Sequence, residues 1–400
     1  MKSTDVKSAF LQSDTIEREI FLKPPDEASC PNKLWRLRKS LYGLNDAARQ
    51  FFLSLTGELK RLGCKQSHLD PTFHFLIGTD NDICGIILTH VDDFLHCGNN
   101  HFEEIIMKPL LQRFLAGRCS TSRFIYIGLN IVQTDSHEIF LDQSEYTDSI
   151  EVPVVVGLKN SCEDLNTEEY SIFRSLVGAL NWLVCGSRPD LAFDVLEHSS
   201  KFKKATKSDL ILCLKSIKRC KKETVVNKFS RLKIDHPWRI VLYSDASYAN
   251  LPDGVSSSLG YVIFLVDCEN NASIVNWKAN KIKRVCRSTL AAEAMALVEG
   301  LEECLYLKEV LRELGIDPSI LAFTDSKSLR DSIYSTKLAD DKRLRIDIAS
   351  LQQLCEQKKI EEIKWCPSEM MLANVLTKRG ASATQLLDVM RLGSLDRYLN

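Results

Sequence analysis

From residue 83 the chain runs Ile83-Cys84-Gly85-Ile86-Ile87-Leu88-Thr89-His90-Val91, breaks on Asp92-Asp93, and resumes as Phe94-Leu95-His96-Cys97 before Gly98. Apolar runs of strand length on either side of a polar tip predict a tight hairpin that carries two acids. Upstream, after a break at Pro24-Pro25, Leu41-Tyr42-Gly43-Leu44 opens a stretch with Phe51, Phe52, Leu55 and Leu59 at helical spacing. Phe124 to Val132 reads as a short strand containing Gly128-Leu129. Residues 151–169, with Pro153, Gly157, Asn160 and several acids, read as a linker. Residues 170–235 read as helical.

Beyond residue 235 the period changes. Ile240-Val241-Leu242-Tyr243-Ser244-Asp245 is a strand ending on an acid, and Leu259–Val266 and Ile274–Trp277 are two more. A helix is expected from about Leu290 to Leu314, with Ser288 or Thr289 as cap and Gly315 as its stop. Leu321-Ala322-Phe323 leads into Asp325 and a short helix; Ile363-Lys364-Trp365 is followed, after Pro367, by a helix through Leu376. Strands first and strand–helix alternation afterwards predict a mixed α/β sheet.

Composition alters this picture only locally. The 400 residues suggest two or three domains, and 44% hydrophobic with 26% charged residues excludes a disordered chain. Net charge is −1, yet twelve Lys and Arg face only Asp209 and Glu223 between Lys201 and Lys233. That local excess favours a polyanion-binding surface over a merely solvated helix face. Fourteen cysteines without a CxxC pair point to reduced thiols, and no apolar run reaches the ~18 residues of a membrane span. A soluble intracellular protein is expected. His90, His96, Cys97 and His101 lie close in sequence, but their spacing fits no common zinc module.

The chemistry lies in the acids. Glu293 sits four residues before Leu297, on the stripe formed by Leu297, Leu301, Cys304 and Leu305. A carboxylate on a buried face costs several kcal/mol unless it is paired or holds a cation, so an ion pair and a metal site are both open. Asp245 and Asp325 each close a strand, although Asp325 could instead cap the following helix. Were the three to meet, their repulsion would call for divalent cations suited to phosphodiester chemistry.

Ser244-Asp245-Ala246-Ser247, Leu290-Ala291-Ala292-Glu293-Ala294-Met295-Ala296-Leu297, Thr324-Asp325-Ser326 and Leu372-Ala373-Asn374-Val375-Leu376-Thr377-Lys378 resemble, in that order, the ribonuclease H domain of copia-type retrotransposon polyproteins. The resemblance implies that Asp245, Glu293 and Asp325 are catalytic metal ligands. Asn374 stands where the family has Asp; it offers an oxygen without a charge, which weakens the second metal position. Glu369, five residues earlier and roughly 140° away on an ideal helix, is a poor replacement.

The front half is similar to the reverse transcriptase of the same polyproteins. Asp5 through Leu11 looks like the first palm motif, with Asp5 as a metal ligand and Phe10 pressing on the nucleotide sugar. Lys39 to Leu44, then Ala47 to Phe52, resembles the second motif, making Gly43 and Arg49 substrate-binding residues. Val91-Asp92-Asp93 matches the acidic hairpin, with His90 where the family has Tyr. Asp5, Asp92 and Asp93 would be the polymerase ligands. Gly128 and Leu129 look like the primer-grip hairpin, and Ser175 to Leu180 with Arg188-Pro189-Asp190 matches the connecting region.

On this resemblance the chain is α/β (α+β). It is a truncated reverse-transcriptase palm and thumb followed by a ribonuclease H-like mixed five-stranded sheet with flanking helices. The expected division is 1–150 palm and primer grip, 151–235 linker and basic helical connection, 236–380 ribonuclease H-like domain and 381–400 tail. Only four residues precede Asp5, so the family's fingers are expected to be missing and polymerase activity to be absent or very weak. The implied cofactor is Mg2+, two ions per active site, with Mn2+ as a substitute. The implied partners are an RNA–DNA hybrid, template RNA with DNA primer, dNTPs and a separate chain supplying fingers, with no membrane. The cytoplasm, within virus-like particles, and the nucleus stay open as locations. The rival reading is a non-catalytic nucleic-acid-binding relic or domesticated module that uses the Lys201–Lys233 surface.

Overall fold

The computed structural model describes residues 1–29, 33–80, 82–155, 161–234, 236–336 and 341–399. Two linker residues noted above, Gly157 and Asn160, lie outside this set. The chain forms two compact units, the first comprising residues 1–126 with 313–315 and the second 127–312 with 316–400.

In the first unit β1 (Lys2–Val6), α1 (Ala47–Arg61), β2 (Lys65–Gln66), β3 (Phe73–Ile77), β4 (Ile83–His90), β5 (Asp93–Gly98) and β6 (Ala116–Thr121) build an antiparallel sheet of order β2-β3-β4-β5-β1-β6. The expected hairpin is β4–β5, closed by the His90–Asp93 pair. Alternation sorts its side chains: Ile87 and Phe94 are fully buried and join Phe51, Leu55 and Leu59 of α1 in one core.

The second unit contains two cores on the faces of one sheet. Ahead of that sheet come β7 (Leu129–Gln133) and β8 (Ile139–Asp142), then helices α2 (Thr167–Gly186), α3 (Ala192–Ser200) and α4 (Lys207–Lys222), and β9 (Asn227–Phe229), which pairs with β8. Capping boxes at Asn166/Glu169 and Thr206/Asp209 start α2 and α4, and Phe173, Leu180, Leu183, Leu210 and Ile217 form the bundle core. Buried within it, Arg188 holds Asp190 through two hydrogen bonds of 2.8 Å.

The sheet itself comprises β10 (Arg239–Ser247), β11 (Ser258–Val266), β12 (Ala272–Lys281), β13 (Ser319–Thr324) and β14 (Glu362–Trp365), in the order β12-β11-β10-β13-β14. β10 pairs antiparallel with β11 and parallel with β13, so the sheet is mixed, as expected. Its other helices are α5 (Thr289–Glu313), α6 (Lys327–Ile333), α7 (Lys342–Glu356) and α8 (Thr384–Leu392). Because β10 is covered on both faces it reads as a continuous apolar run. Ile240 and Leu242 pack with Leu297 and Leu301 of α5, while Val241 and Tyr243 pack with Leu372, Leu376 and the residues of α8.

Several local expectations are corrected. β10 does not end on Asp245 but stays paired with β11 as far as Ser247, and residues 227–229 of the stretch read as helical form β9 through pairing with β8. The helix after Pro367 is instead a pair of 3-10 turns, Ser368–Met370 and Leu372–Leu376. Four of the five residues in the second turn are buried, so packing rather than helical period sets its apolar pattern. The strand placed at 124–132 breaks at Ile127 and Gly128, whose φ values are 49° and 75°, and this turn is where the chain passes from one unit to the other.

Candidate active site

β10 and β13 run parallel with Ser244 opposite Thr324, which puts Asp245, near the end of β10, and Asp325, just past β13, at the same carboxyl-end edge. Glu293 stands in the first turns of α5, on the face that also buries Leu297. The three side chains converge: one oxygen from each lies within 4.8 Å of the other two. Among the described residues this is the one group of three or more acidic, His or Cys side chains that meets so closely.

Like charges at that range, out of water, oppose ionisation. Glu293 is pushed up to about 9, chiefly by burial and then by Asp245 and Asp325. The fully buried Asp245 is also raised, again by burial first, although Lys378 and Thr377 pull it back. Glu293 Oε2 is buried with no hydrogen-bond partner. No Lys or Arg forms an ion pair with Glu293 among the described residues, so the ion-pair reading of this side chain fails. An all-oxygen donor set, excess negative charge and an orphaned carboxylate oxygen fit a hard divalent cation.

The segment after the 3-10 turn closes over Asp245. Thr377 Oγ1 donates to Asp245 Oδ2, and Lys378 Nζ lies 3.1 Å from Asp245 Oδ1. Lys378 also donates to Asn374 Oδ1, while Asn374 Nδ2 donates to the Ser368 carbonyl. Asn374 is thus at the site, but its oxygen already accepts from an ammonium. Gly260, opposite Asp245 on β11, permits this approach: a Cβ there would lie 2.6 Å from Leu376 Cβ and 2.9 Å from Thr377 Cγ2.

Asp325 is not a helix cap, since Ser326 accepts from Leu329 N at the start of α6. Its carboxylate instead accepts from Ser368 Oγ at 2.7 Å, and its carbonyl accepts from Trp365 Nε1 at 2.9 Å. Sequence alone does not single out Thr377, Lys378, Ser368 or Gly260; the signal that points to the first two is the 372–378 motif that ends on them.

In the first unit Asp5 faces Asp93 across β1 and β5, and Val91-Asp92 is the loop between β4 and β5. Val91 takes φ 56°, a costly conformation for a β-branched residue. Asp93 is raised by burial, then by the charges of Asp92 and Asp5. A Cβ at Gly117 would lie 2.5 Å from Asp5 Oδ2. Asp5, Asp92 and Asp93 share one tip without meeting the 4.8 Å convergence of the other triad. Phe10 packs against Tyr42 with ring centroids 4.4 Å apart, beside the exposed Gly43, and Arg49 is exposed in the first turn of α1. Gly128 lies in the second unit, where a Cβ would come 3.3 Å from Trp182 Nε1; Leu129 opens β7.

The basic run is partly structural. Lys207 pairs with Glu163, Arg219 with Asp194, Lys228 with Glu138 and Lys233 with Glu269, while Lys221 donates to three backbone carbonyls. Lys215, Lys218 and Lys222 remain exposed at helical spacing on α4. No helix among the described residues is long and apolar enough to cross a membrane.

Residues 1–161 match the family described as reverse transcriptase (RNA-dependent DNA polymerase). The chain is 26% identical over 403 aligned positions to the "Retrovirus-related Pol polyprotein from transposon TNT 1-94" of Nicotiana tabacum, covering 94% of this chain and 30% of that protein. It is 28% identical over 330 positions to that from transposon RE1 of Arabidopsis thaliana, covering 79% of this chain and 22% of the relative. It therefore spans less than a third of the length of these relatives. Among solved structures, LC11-RNase H1 in complex with RNA/DNA hybrid is 18% identical over 34% of this chain and 93% of its own, with a TM-score of 0.28.

Proposed function

We propose that this chain, a homologue of the copia-type retrotransposon Pol polyproteins, hydrolyses the RNA strand of RNA–DNA hybrids at Asp245, Glu293 and Asp325, with Mg2+ as cofactor. The convergence of the three carboxylates at one strand edge carries this reading. A divalent ion held by them would supply Lewis-acid stabilisation of charge on a phosphodiester. Thr377 and Lys378 favour the ionised form of Asp245, and Ser368 orients Asp325. Protonated Glu293 would release its proton as the ion binds.

The surroundings suit a nucleic-acid strand. Beside Asp325, Trp365 is 45% exposed and, with Lys327, Arg330, Lys364, Glu362 and Phe323, lines an open cleft of about 250 Å³. An indole can stack on a base while lysines and arginine meet phosphates. The exposed Lys215, Lys218 and Lys222 of α4 offer a separate cationic patch for phosphates.

The test is cleavage of end-labelled RNA annealed to DNA, with single-stranded RNA and duplex DNA as controls. Mg2+-dependent cutting of the hybrid alone, lost in Asp325→Asn, is expected. No cutting in Mg2+ or Mn2+, or undiminished cutting by Asp325→Asn, would overturn the proposal and leave a binding module.

RNA-templated DNA synthesis from dNTPs is a second reading, favoured by the match over residues 1–161 and by Asp5 opposite Asp93. Because Asp5, Asp92 and Asp93 converge less closely than the other triad, the isolated chain is expected to extend a primer weakly. Robust extension in Mg2+ would contradict that expectation.

A further inference from the structure

We infer that Lys378 takes the place of one divalent cation, so that the carboxylate centre of the second unit binds a single Mg2+ rather than two. The inference rests on the metal-dependent reading above and specifies its stoichiometry.

An ion shared by Asp245 and Asn374 would have to sit between their oxygens, and the ammonium of Lys378 is there, 3.1 Å from Asp245 Oδ1 and donating to Asn374 Oδ1. Both partners are fixed. Asp245 is fully buried and also accepts from Thr377, and the amide of Asn374 is tied to the Ser368 carbonyl, which leaves its oxygen for the lysine. The other side of the centre is different: Glu293 Oε2 is buried without a partner, and Asp325 lies within the same 4.8 Å group. One side of Asp245 is filled by a cation and the other is left for one.

Charge arithmetic agrees. Three ionised carboxylates with one ammonium carry two negative charges, which one divalent ion neutralises. A second would leave the pocket with an excess of two positive charges beside the fully buried Asp245, where such an imbalance is costly. Asn374 contributes a dipole but no compensating charge. Unlike a soluble ion, a covalently attached ammonium is present at every metal concentration, and its protons can meet a phosphate oxygen next to the scissile bond.

The test is the number of Mn2+ ions bound by the full chain, counted by electron paramagnetic resonance of free Mn2+ and by calorimetry, with no activity readout. The relevant number is the difference between the wild type and Asp245→Asn, with Asp325→Asn as a second reference should the first unfold. One site lost is expected. Two sites lost would overturn this inference while leaving the metal reading intact; none lost would overturn the metal reading itself. In the double variant Lys378→Met with Asn374→Asp the count should rise from one to two. A count still at one, in a variant whose unfolding curve matches the wild type, would likewise overturn the inference.

Discussion

Replacing Glu293 by Gln in the metal-free chain should make the second unit more stable at neutral and alkaline pH and remove most of its pH dependence. In the folded chain Glu293 is pushed up to about 9, whereas in the unfolded chain it titrates near 4.5. Between those values the native state holds a proton that the unfolded state has released. Stability is therefore full below about pH 4.5 and falls as pH rises toward about 9. At 1.36 kcal/mol per pH unit, the loss has a ceiling of about 3 kcal/mol at pH 7 and about 6 kcal/mol at pH 9. Asp245 is raised by the same burial, so part of the repulsion is shared and about 2–3 kcal/mol at pH 8 is the working figure. Urea unfolding in EDTA at pH 5, 7 and 9 can read this by tryptophan fluorescence, since Trp182, Trp238, Trp277 and Trp365 all lie in the second unit. Trp35→Phe would silence the fifth. Wild type should lose stability across the series and Glu293→Gln should lose far less. Saturating Mg2+ should flatten the wild-type trend, because the ion binds the ionised carboxylates. Equal slopes for both proteins in EDTA would refute the reasoning.

Other consequences are sharp enough to measure. Gly260→Ala puts a methyl where Leu376 and Thr377 lie within 3 Å; it should cost ~1–3 kcal/mol of stability and weaken hybrid cleavage by moving Thr377 and Lys378 off Asp245. Asp190→Ala leaves Arg188 buried without its carboxylate and should cost ~3–5 kcal/mol in urea unfolding, with no shift in Mn2+ stoichiometry. Replacing Lys215, Lys218 and Lys222 together by Gln should lower the salt dependence of hybrid binding by up to ~0.9 per lysine removed, read by fluorescence anisotropy at several salt concentrations. An unchanged slope would take α4 out of the nucleic-acid surface.

What the sequence discloses follows from how far apart the interacting parts lie. The helix over 289–313 is legible because its apolar residues repeat on a buried face, and Glu293 stands out because it breaks that pattern. Asp245 and Asp325 are legible as acids that close apolar runs, although β10 itself continues to Ser247. The contact of Thr377 and Lys378 with Asp245 spans more than 130 residues and depends on the missing side chain of Gly260; no local periodicity encodes it. The apolar residues of 372–376 suggest a helix, yet burial against two strands sets their pattern and the backbone takes a 3-10 turn. At 127–128 two left-handed residues hide inside an otherwise strand-like run. Asn374 looks like a weakened ligand when only its position in the motif is known, whereas its hydrogen bonds show it holding Lys378.

The chemistry proposed for the second unit would depend on a divalent ion held by Asp245, Glu293 and Asp325. Crystals grown with Mn2+ would test it through anomalous scattering above and below the manganese edge. A single peak about 2.0–2.3 Å from oxygens of the three carboxylates is expected, and a map with no peak at the triad in crystals saturated with Mn2+ would contradict it.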